Sequence, residues 1–341
     1  MQQSFLSRVI IPSAKLILGL AIVGYLLVQA RGHQEFDDLW AQPKDWSQFV
    51  LALIYVAAAV LLGFFRWYLL VRAIGLPFTL RDAVRLGSLG YALNFVGPGG
   101  VGGDLFKSVA LAREHRTQRS EAVATVIADR VVGLLSLLAI ATVGTLASGT
   151  LWDTSASLAL RSLGGVVVTA LVLGLLMGGL LMAPGKVSRQ IVRLLARLPR
   201  VGRVALAMFT ACQAMSRRLD RLIPAVGIGL VTHFLLVLSF DAVSRGLPLA
   251  SPSLIDHLQI VPLAETAGVL PITPGGLGTT EAALASLYEA SGANYHDGVI
   301  VALGQRIVML LVAAVAIGYF FIQRRAVRKS LQAAEVAMQS V

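Results

Sequence analysis

Cysteine is nearly absent: Cys212 stands alone, which excludes an internal disulfide and any Cys-x-x-Cys metal site. Charge is scarce as well, with 14% of the 341 residues charged against 56% hydrophobic. With a mean hydropathy of +0.77, this composition excludes an ordinary water-soluble domain. The sequence has no Gly-x-Ser-x-Gly, no His-Glu-x-x-His and no Gly-x-x-x-x-Gly-Lys-Ser/Thr. Hydrolase, zinc-protease and P-loop readings therefore lack support, and the expectation is a protein that is not an enzyme and needs no cofactor or metal. Nor is any stretch outside the apolar runs long enough for a second folded body, so 1–341 is expected to form a single membrane domain.

Long apolar runs dominate instead. About 20 helical residues cross a hydrocarbon core, and runs of that order fall near 9–29, 49–71, 121–148, 158–183, 222–244 and 298–322. The N-terminus, with Arg8 and Lys15 ahead of the apolar Leu16 to Val28, superficially resembles a signal peptide; the many later spans favour an uncleaved first helix. Two further apolar stretches, 83–119 and 254–291, are each broken by glycine. The breaks read Gly97-Pro98-Gly99-Gly100-Val101-Gly102-Gly103-Asp104 and Thr273-Pro274-Gly275-Gly276-Leu277-Gly278-Thr279-Thr280-Glu281. They share a Pro-Gly-Gly-apolar-Gly core. Backbone freed from helical hydrogen bonds cannot face lipid, so each break belongs inside protein or beside a wet cavity. Two breaks in corresponding places of two halves are a pointer to a transporter-like site.

The net charge of +11 matters less than its placement. Nine basic residues and one acid, Asp220, lie in 184–221, and Arg324, Arg325, Arg328 and Lys329 follow the last span. Cytoplasmic loops carry this bias. All basic clusters share one side only if each broken stretch dips into the membrane and returns. Both termini are then cytoplasmic, and the acidic segment with Glu35, Asp37, Asp38 and Asp45 is outside. The expected fold is an all-α polytopic membrane protein with about six transmembrane helices and two oppositely oriented re-entrant hairpins. Its halves, about 49–148 and 222–322, would form an inverted repeat joined through the cytoplasmic basic loop. Within that loop Ile191, Leu194, Leu195 and Leu198 read as one face of an interfacial amphipathic helix.

Proline at each tip is expected to end the incoming half-helix, and glycine to permit close approach of backbone or ligand. Asp104 and Thr279 or Thr280 are N-cap residue types, and Glu281 falls in a first turn where the helix dipole favours a carboxylate. Asp129, Arg130, Glu265 and Arg306 interrupt apolar sequence and should face the interior. They would pair across helices, as Asp129 or Glu281 with Arg130 or Arg306, or touch a substrate. Arg66 and Asp241 lie close enough to span ends to snorkel, and His233 reads as a hydrogen-bonded core residue. The candidate substrate-binding set on the first tip is Asn94, Pro98, Gly99, Gly100, Gly102, Gly103, Asp104 and Lys107. Thr273, Pro274, Gly275, Gly276, Gly278 and Glu281 on the second tip complete it, together with Asp129, Arg130, Glu265 and Arg306.

The run Asn94 to Asp104, the segment Val126-Ile127-Ala128-Asp129-Arg130-Val131-Val132-Gly133 and the run Leu270 to Glu281 together resemble the transmembrane region of lysylphosphatidylglycerol synthetases and their stand-alone flippase-like relatives. The resemblance spans nearly the whole chain in segment order. It implies a bacterial inner-membrane protein with two re-entrant helical hairpins. In the two-part synthetases this region is associated with moving the aminoacylated lipid between leaflets. These 341 residues carry no aminoacyl-transferase domain beside it, so lysine transfer is not expected.

The sequence is therefore expected to encode a lipid translocase, flippase or scramblase-like, that passes a polar headgroup through a midplane cavity between the hairpins. Its cargo would be an anionic or zwitterionic phospholipid or a polyprenyl-phosphate lipid, with no nucleic-acid partner and an oligomer left open. The alternatives are a non-transporting partner of a cell-envelope enzyme and, behind it, a membrane transferase acting on a lipid-linked substrate.

Overall fold

The structure is a computed structural model. It describes residues 41–95, 101–115, 117–182, 212–269 and 273–339, and scattered positions in 17–28 and 185–210. The expected first span, most of the basic loop and its amphipathic face, and Pro98, Gly99 and Gly100 of the first tip lie outside the described residues. The described chain is helical throughout, without a strand. In order, the helices are α1 (Trp46–Ala73), α2 (Leu80–Asn94), α3 (Gly102–Glu114), α4 (Arg119–Ala147), α5 (Leu158–Met182), α6 (Leu219–Gly246), α7 (Leu254–Val269), α8 (Thr279–Ala290) and α9 (Tyr295–Gln339).

Helices α1, α4, α5, α6 and the stretch Tyr295–Ile322 of α9 are each long and apolar enough to cross a bilayer. They coincide with five of the six expected spans. Their outer faces leave Leu173, Leu176, Ile307, Val315 and Ile322 exposed. Large apolar side chains left exposed along spans of this length suit lipid rather than water. α5 is the peripheral helix, burying only Leu160, Gly164 and Val167. The remaining four helices, of 15, 13, 16 and 12 residues, are each shorter than the ~20 residues a crossing needs.

Those four form two helical hairpins, α2 with α3 and α7 with α8. In the first, the backbones touch: a Cβ on Gly103 would collide with the Gly90 carbonyl. The Asn94 side chain then accepts from the Gly103 amide at 2.8 Å. In the second, a Cβ on Gly268 of α7 would collide with the Thr280 hydroxyl of α8. Thr79 and Asp82 form a reciprocal capping box at the start of α2, and Arg85 reaches Glu114 across the open end of that hairpin.

The order long helix, hairpin, long helix occurs twice, as α1 to α4 and as α6 to α9. Contacts in one half recur in the other: α4 packs on α7 as α9 packs on α2, α3 packs on α4 as α8 packs on α9, and α1 touches α9 as α6 touches α4. The counterpart helices α1 and α6 lie along one another, and they run antiparallel. The Asp45 amide donates to the Gly246 carbonyl at 3.0 Å. Two turns further in, the Ser239 hydroxyl donates to the Ala52 carbonyl, and at the far end the Arg221 guanidinium donates to the Arg72 carbonyl. Hairpin one leaves from the end of α1 and hairpin two from the end of α6, so they start at opposite ends of this helix pair. Their tips meet: a Cβ on Gly275 would lie 3.0 Å from the Phe95 Cα.

Two local expectations are corrected. The incoming half-helices end short of the tip prolines: α2 runs to Asn94, four residues ahead of Pro98, and α7 to Val269, five residues ahead of Pro274. Asp104 and the threonines are not N-caps either. The cap of α3 is Val101 and that of α8 is Gly278, since both helices begin earlier than their polar residues suggest. Gly278, at φ 82°, adopts a backbone conformation that only glycine holds cheaply.

Candidate functional site

Two connected cavities lie where the hairpins meet the long helices. The smaller, about 770 Å³ with its open mouth included, lies between the tips and α9 and is lined by Asn94, Arg130, Glu265, Glu281, Gln305 and Arg306, among others. The larger, about 1160 Å³ on the same measure, runs toward α1 and α3 past Arg66, Lys107, Asp104, Asp129 and His233. Tyr91, Asn94, Arg130 and Glu265 line both.

The second tip is held by Arg306 of α9. Its Nε donates to Glu281 Oε1 at 2.7 Å, its Nη1 to the Gly275 carbonyl at 2.9 Å and its Nη2 to the Gly276 carbonyl at 3.3 Å. The other Glu281 oxygen accepts the Gly278 amide at 2.7 Å. This is the reciprocal half of a capping box, the only half available when the cap is glycine. Gly275 and Gly276 reach φ 58° and 68°, which turns both carbonyls toward the one guanidinium. Pro274 opens the turn by accepting from the Leu277 amide, and Thr273 is fully buried with its hydroxyl 3.4 Å from that of Thr279.

The first hairpin repeats the acid–arginine pair. Asp104 is the third residue of α3 and Glu281 the third of α8. Arg130 and Arg306 are each the twelfth residue of the following long helix. The Arg130 Nε pairs with Asp104 as the Arg306 Nε pairs with Glu281. Lys107 adds a second cation, 3.2 Å from Asp104 Oδ1 and 3.7 Å from Asp129 Oδ2, and packs over the Trp67 ring. Gly102 opens α3 as its first residue.

One step deeper the halves diverge. Asp129 pairs with Arg66 Nε at 2.7 Å, and both are buried at 6% and 9% exposure. The counterpart positions, the residue before Arg306 and the twenty-first residue of α6, hold Gln305 and Ser239, which share a neutral hydrogen bond of 2.9 Å. The first half thus places an ion pair where the second places an uncharged pair.

Of the expected pairings, Glu281 with Arg306 is present. Asp129 does not pair with Arg130, because neighbours on a helix point about 100° apart; it turns to α1 while Arg130 turns to α3. Arg66 does not snorkel. It sits seven residues inside the end of α1, too far from it to leave the protein, and binds Asp129. Asp241 is likewise buried, paired with Arg245 at 2.9 Å and 3.4 Å from His257 Nδ1. His233 lines the larger cavity, with Nδ1 unpartnered among the described residues. Glu265 of α7 faces both cavities. Asn94, Gly103, Asp104, Lys107, Asp129, Arg130, Glu265, Gly275, Gly276, Glu281 and Arg306 are therefore gathered into one region.

Sequence reasoning missed Gln305 and Tyr91, and gave Arg66 too little weight. A signal for the first was available: aligned on the tip prolines, Arg130 and Arg306 fall at the same distance, 32 residues on, so Gln305 stands where Asp129 stands. Tyr91, whose hydroxyl donates to the Met309 carbonyl at 3.4 Å, carries no comparable signal.

Fold and site together define a multi-pass α-helical membrane protein with a charge-lined cavity at the meeting of two helical hairpins. The chain belongs to the lysylphosphatidylglycerol synthase TM region family, which it matches over residues 14–318. That membership places it among membrane proteins of lipid-related processes. No curated protein matches it.

Proposed function

We propose that this chain is a lipid translocase, flippase or scramblase-like, that moves a polar headgroup between leaflets through the two joined cavities while the tails stay in lipid. The observation that carries the reading is the pair of counterpart ion pairs, Asp104–Arg130 and Glu281–Arg306, facing the space where two opposed hairpins touch. In this reading the hairpins are re-entrant and enter from opposite faces, and the halves form an inverted repeat that is able to open to either side. The single membrane domain sits in a bacterial inner membrane, with the basic loop and both termini cytoplasmic.

Arginine suits the role, because its planar fork binds phosphate oxygens in a bidentate manner and keeps its charge. Arg306 holds its own tip and donates at the same time to Glu281, so an arriving phosphate competes with groups that re-form once it leaves. The Gly275 and Gly276 carbonyls and the Asn94 amide supply the remaining polar wall. The cargo is an anionic or zwitterionic phospholipid or a polyprenyl-phosphate lipid, and no chemical step is assigned to the protein.

The test is translocation in proteoliposomes of the purified chain, comparing labelled phosphatidylglycerol, lysylphosphatidylglycerol and a polyprenyl phosphate. One of them should move faster than in protein-free vesicles. If none does, with or without a proton gradient, the reading fails and a non-transporting partner role takes its place.

A further inference from the structure

Eight ionisable side chains other than tyrosine and histidine line the two cavities, and their charges cancel. Arg66, Lys107, Arg130 and Arg306 are positive; Asp104, Asp129, Glu265 and Glu281 are acids. Three of the acids have cationic partners: Asp104 has Lys107 and Arg130, Asp129 has Arg66 and Lys107, and Glu281 has Arg306. Glu265 differs. Among the described residues it has no hydrogen bond and no ion pair, and it is the one acid that lines both cavities.

A site already balanced resists an anion, because an added negative charge in a low-dielectric cavity goes uncompensated. The balance is restored if one acid is neutralised. Protonating Asp104, Asp129 or Glu281 would break a formed ion pair, while protonating Glu265 breaks none. The groups around Glu265 bear this out from each neighbouring element. Tyr91 on α2 directs its hydroxyl to the Met309 carbonyl, Glu281 on α8 is bound to Arg306 on α9, and Arg130 on α4 lines the same two cavities. Lys107 on α3, Arg66 on α1 and His233 on α6 face the larger cavity beyond.

We propose that the site binds a phosphodiester monoanion together with one proton, and that Glu265 takes the proton. The inference rests on the translocase reading for the source of the diester, a lipid headgroup rather than a free anion. With Glu265 neutral, the cations exceed the acids by one, which is the charge of one phosphodiester. When the diester leaves, Glu265 releases its proton and the balance returns. Movement of lipid is thereby linked to movement of a proton in the same direction.

The experiment is titration calorimetry of the full chain in detergent at a series of pH values, each in two buffers of different ionisation enthalpy. The probes are a short-chain phosphatidylglycerol and glycerophosphoglycerol, the same diester without its tails. The lipid is expected to bind with uptake of about one proton, and its affinity to weaken by up to about tenfold per pH unit where Glu265 is ionised. Glu265→Gln, which imitates the protonated acid, should bind the lipid with uptake near zero and without that pH dependence. Glu265→Asp should retain the uptake. Elution profile and melting temperature show that each variant is folded.

Uptake that survives Glu265→Gln, uptake that is lost in His233→Gln instead, or lipid binding without uptake overturns the inference. So does failure of both probes to bind. The translocase reading fails separately. If lipid moves in proteoliposomes without proton uptake, translocation stands and the proton site falls. If glycerophosphoglycerol binds with a proton while no lipid moves, the proton site stands and translocation falls.

Discussion

Arg306 joins Glu281 to two carbonyls of the second tip, and the Glu281 it faces is buried at 1% exposure. Removing one member of such a pair strands a buried charge, at a cost of about 3–5 kcal/mol. Arg306→Gln should therefore lower the melting temperature sharply in detergent, and adding Glu281→Gln should recover much of the loss. The glycines divide by what surrounds them. A Cβ on Gly103 meets backbone of α2 that cannot step aside, whereas one on Gly178 of α5 meets nothing within 4 Å. Gly103→Ala should cost about 1–3 kcal/mol or more by forcing the first hairpin apart. Gly178→Ala should leave stability unchanged or raise it by up to about 1 kcal/mol. Thermal unfolding of the two variants side by side checks the contrast.

At the scale of elements, the two halves share a scaffold and differ at its deepest polar pair. Arg66–Asp129 joins α1 to α4, and Ser239–Gln305 joins α6 to α9 at counterpart positions. A double-mutant cycle tests whether the ion pair is needed for packing. Arg66→Ser alone and Asp129→Gln alone should each destabilise by about 3–5 kcal/mol. The double variant, which installs the neutral pair of the other half, should be less damaging than the sum of the singles, with a coupling of about 1–3 kcal/mol. Additive losses would show that the pair does not act as a unit. The long helices were legible in sequence because about 20 apolar residues in a row have few other uses. The hairpins were legible because glycine runs broke shorter stretches. Partners were harder. Arg66 and Asp129 lie 63 residues apart on separate helices, and no local pattern records that they meet. The helix starts were misread at Asp104, where Gly102 and Gly103 extend α3 ahead of the polar residue because close contact with α2 requires them there.

For the whole molecule, the antiparallel course of α1 and α6 and the opposite starting ends of the hairpins account for the touching tips. Charge placement in the sequence led to the same opposed arrangement, by an argument about which side of a membrane each basic loop occupies. The composition of the cavity was less legible, because lining is a property of several helices at once: Tyr91, Gln305 and Arg66 come from α2, α9 and α1 and share no sequence signature. The central claim is that a phosphate-bearing headgroup passes between the hairpins past Arg130 and Arg306. The most direct measurement is the translocation rate of the transported lipid in proteoliposomes of the paired variants Asp104→Asn with Arg130→Gln and Glu281→Gln with Arg306→Gln, each removing one acid and one cation so that the net charge of the site is unchanged. The account predicts that both folded variants fall to the rate of protein-free vesicles. Wild-type rates in both would contradict it.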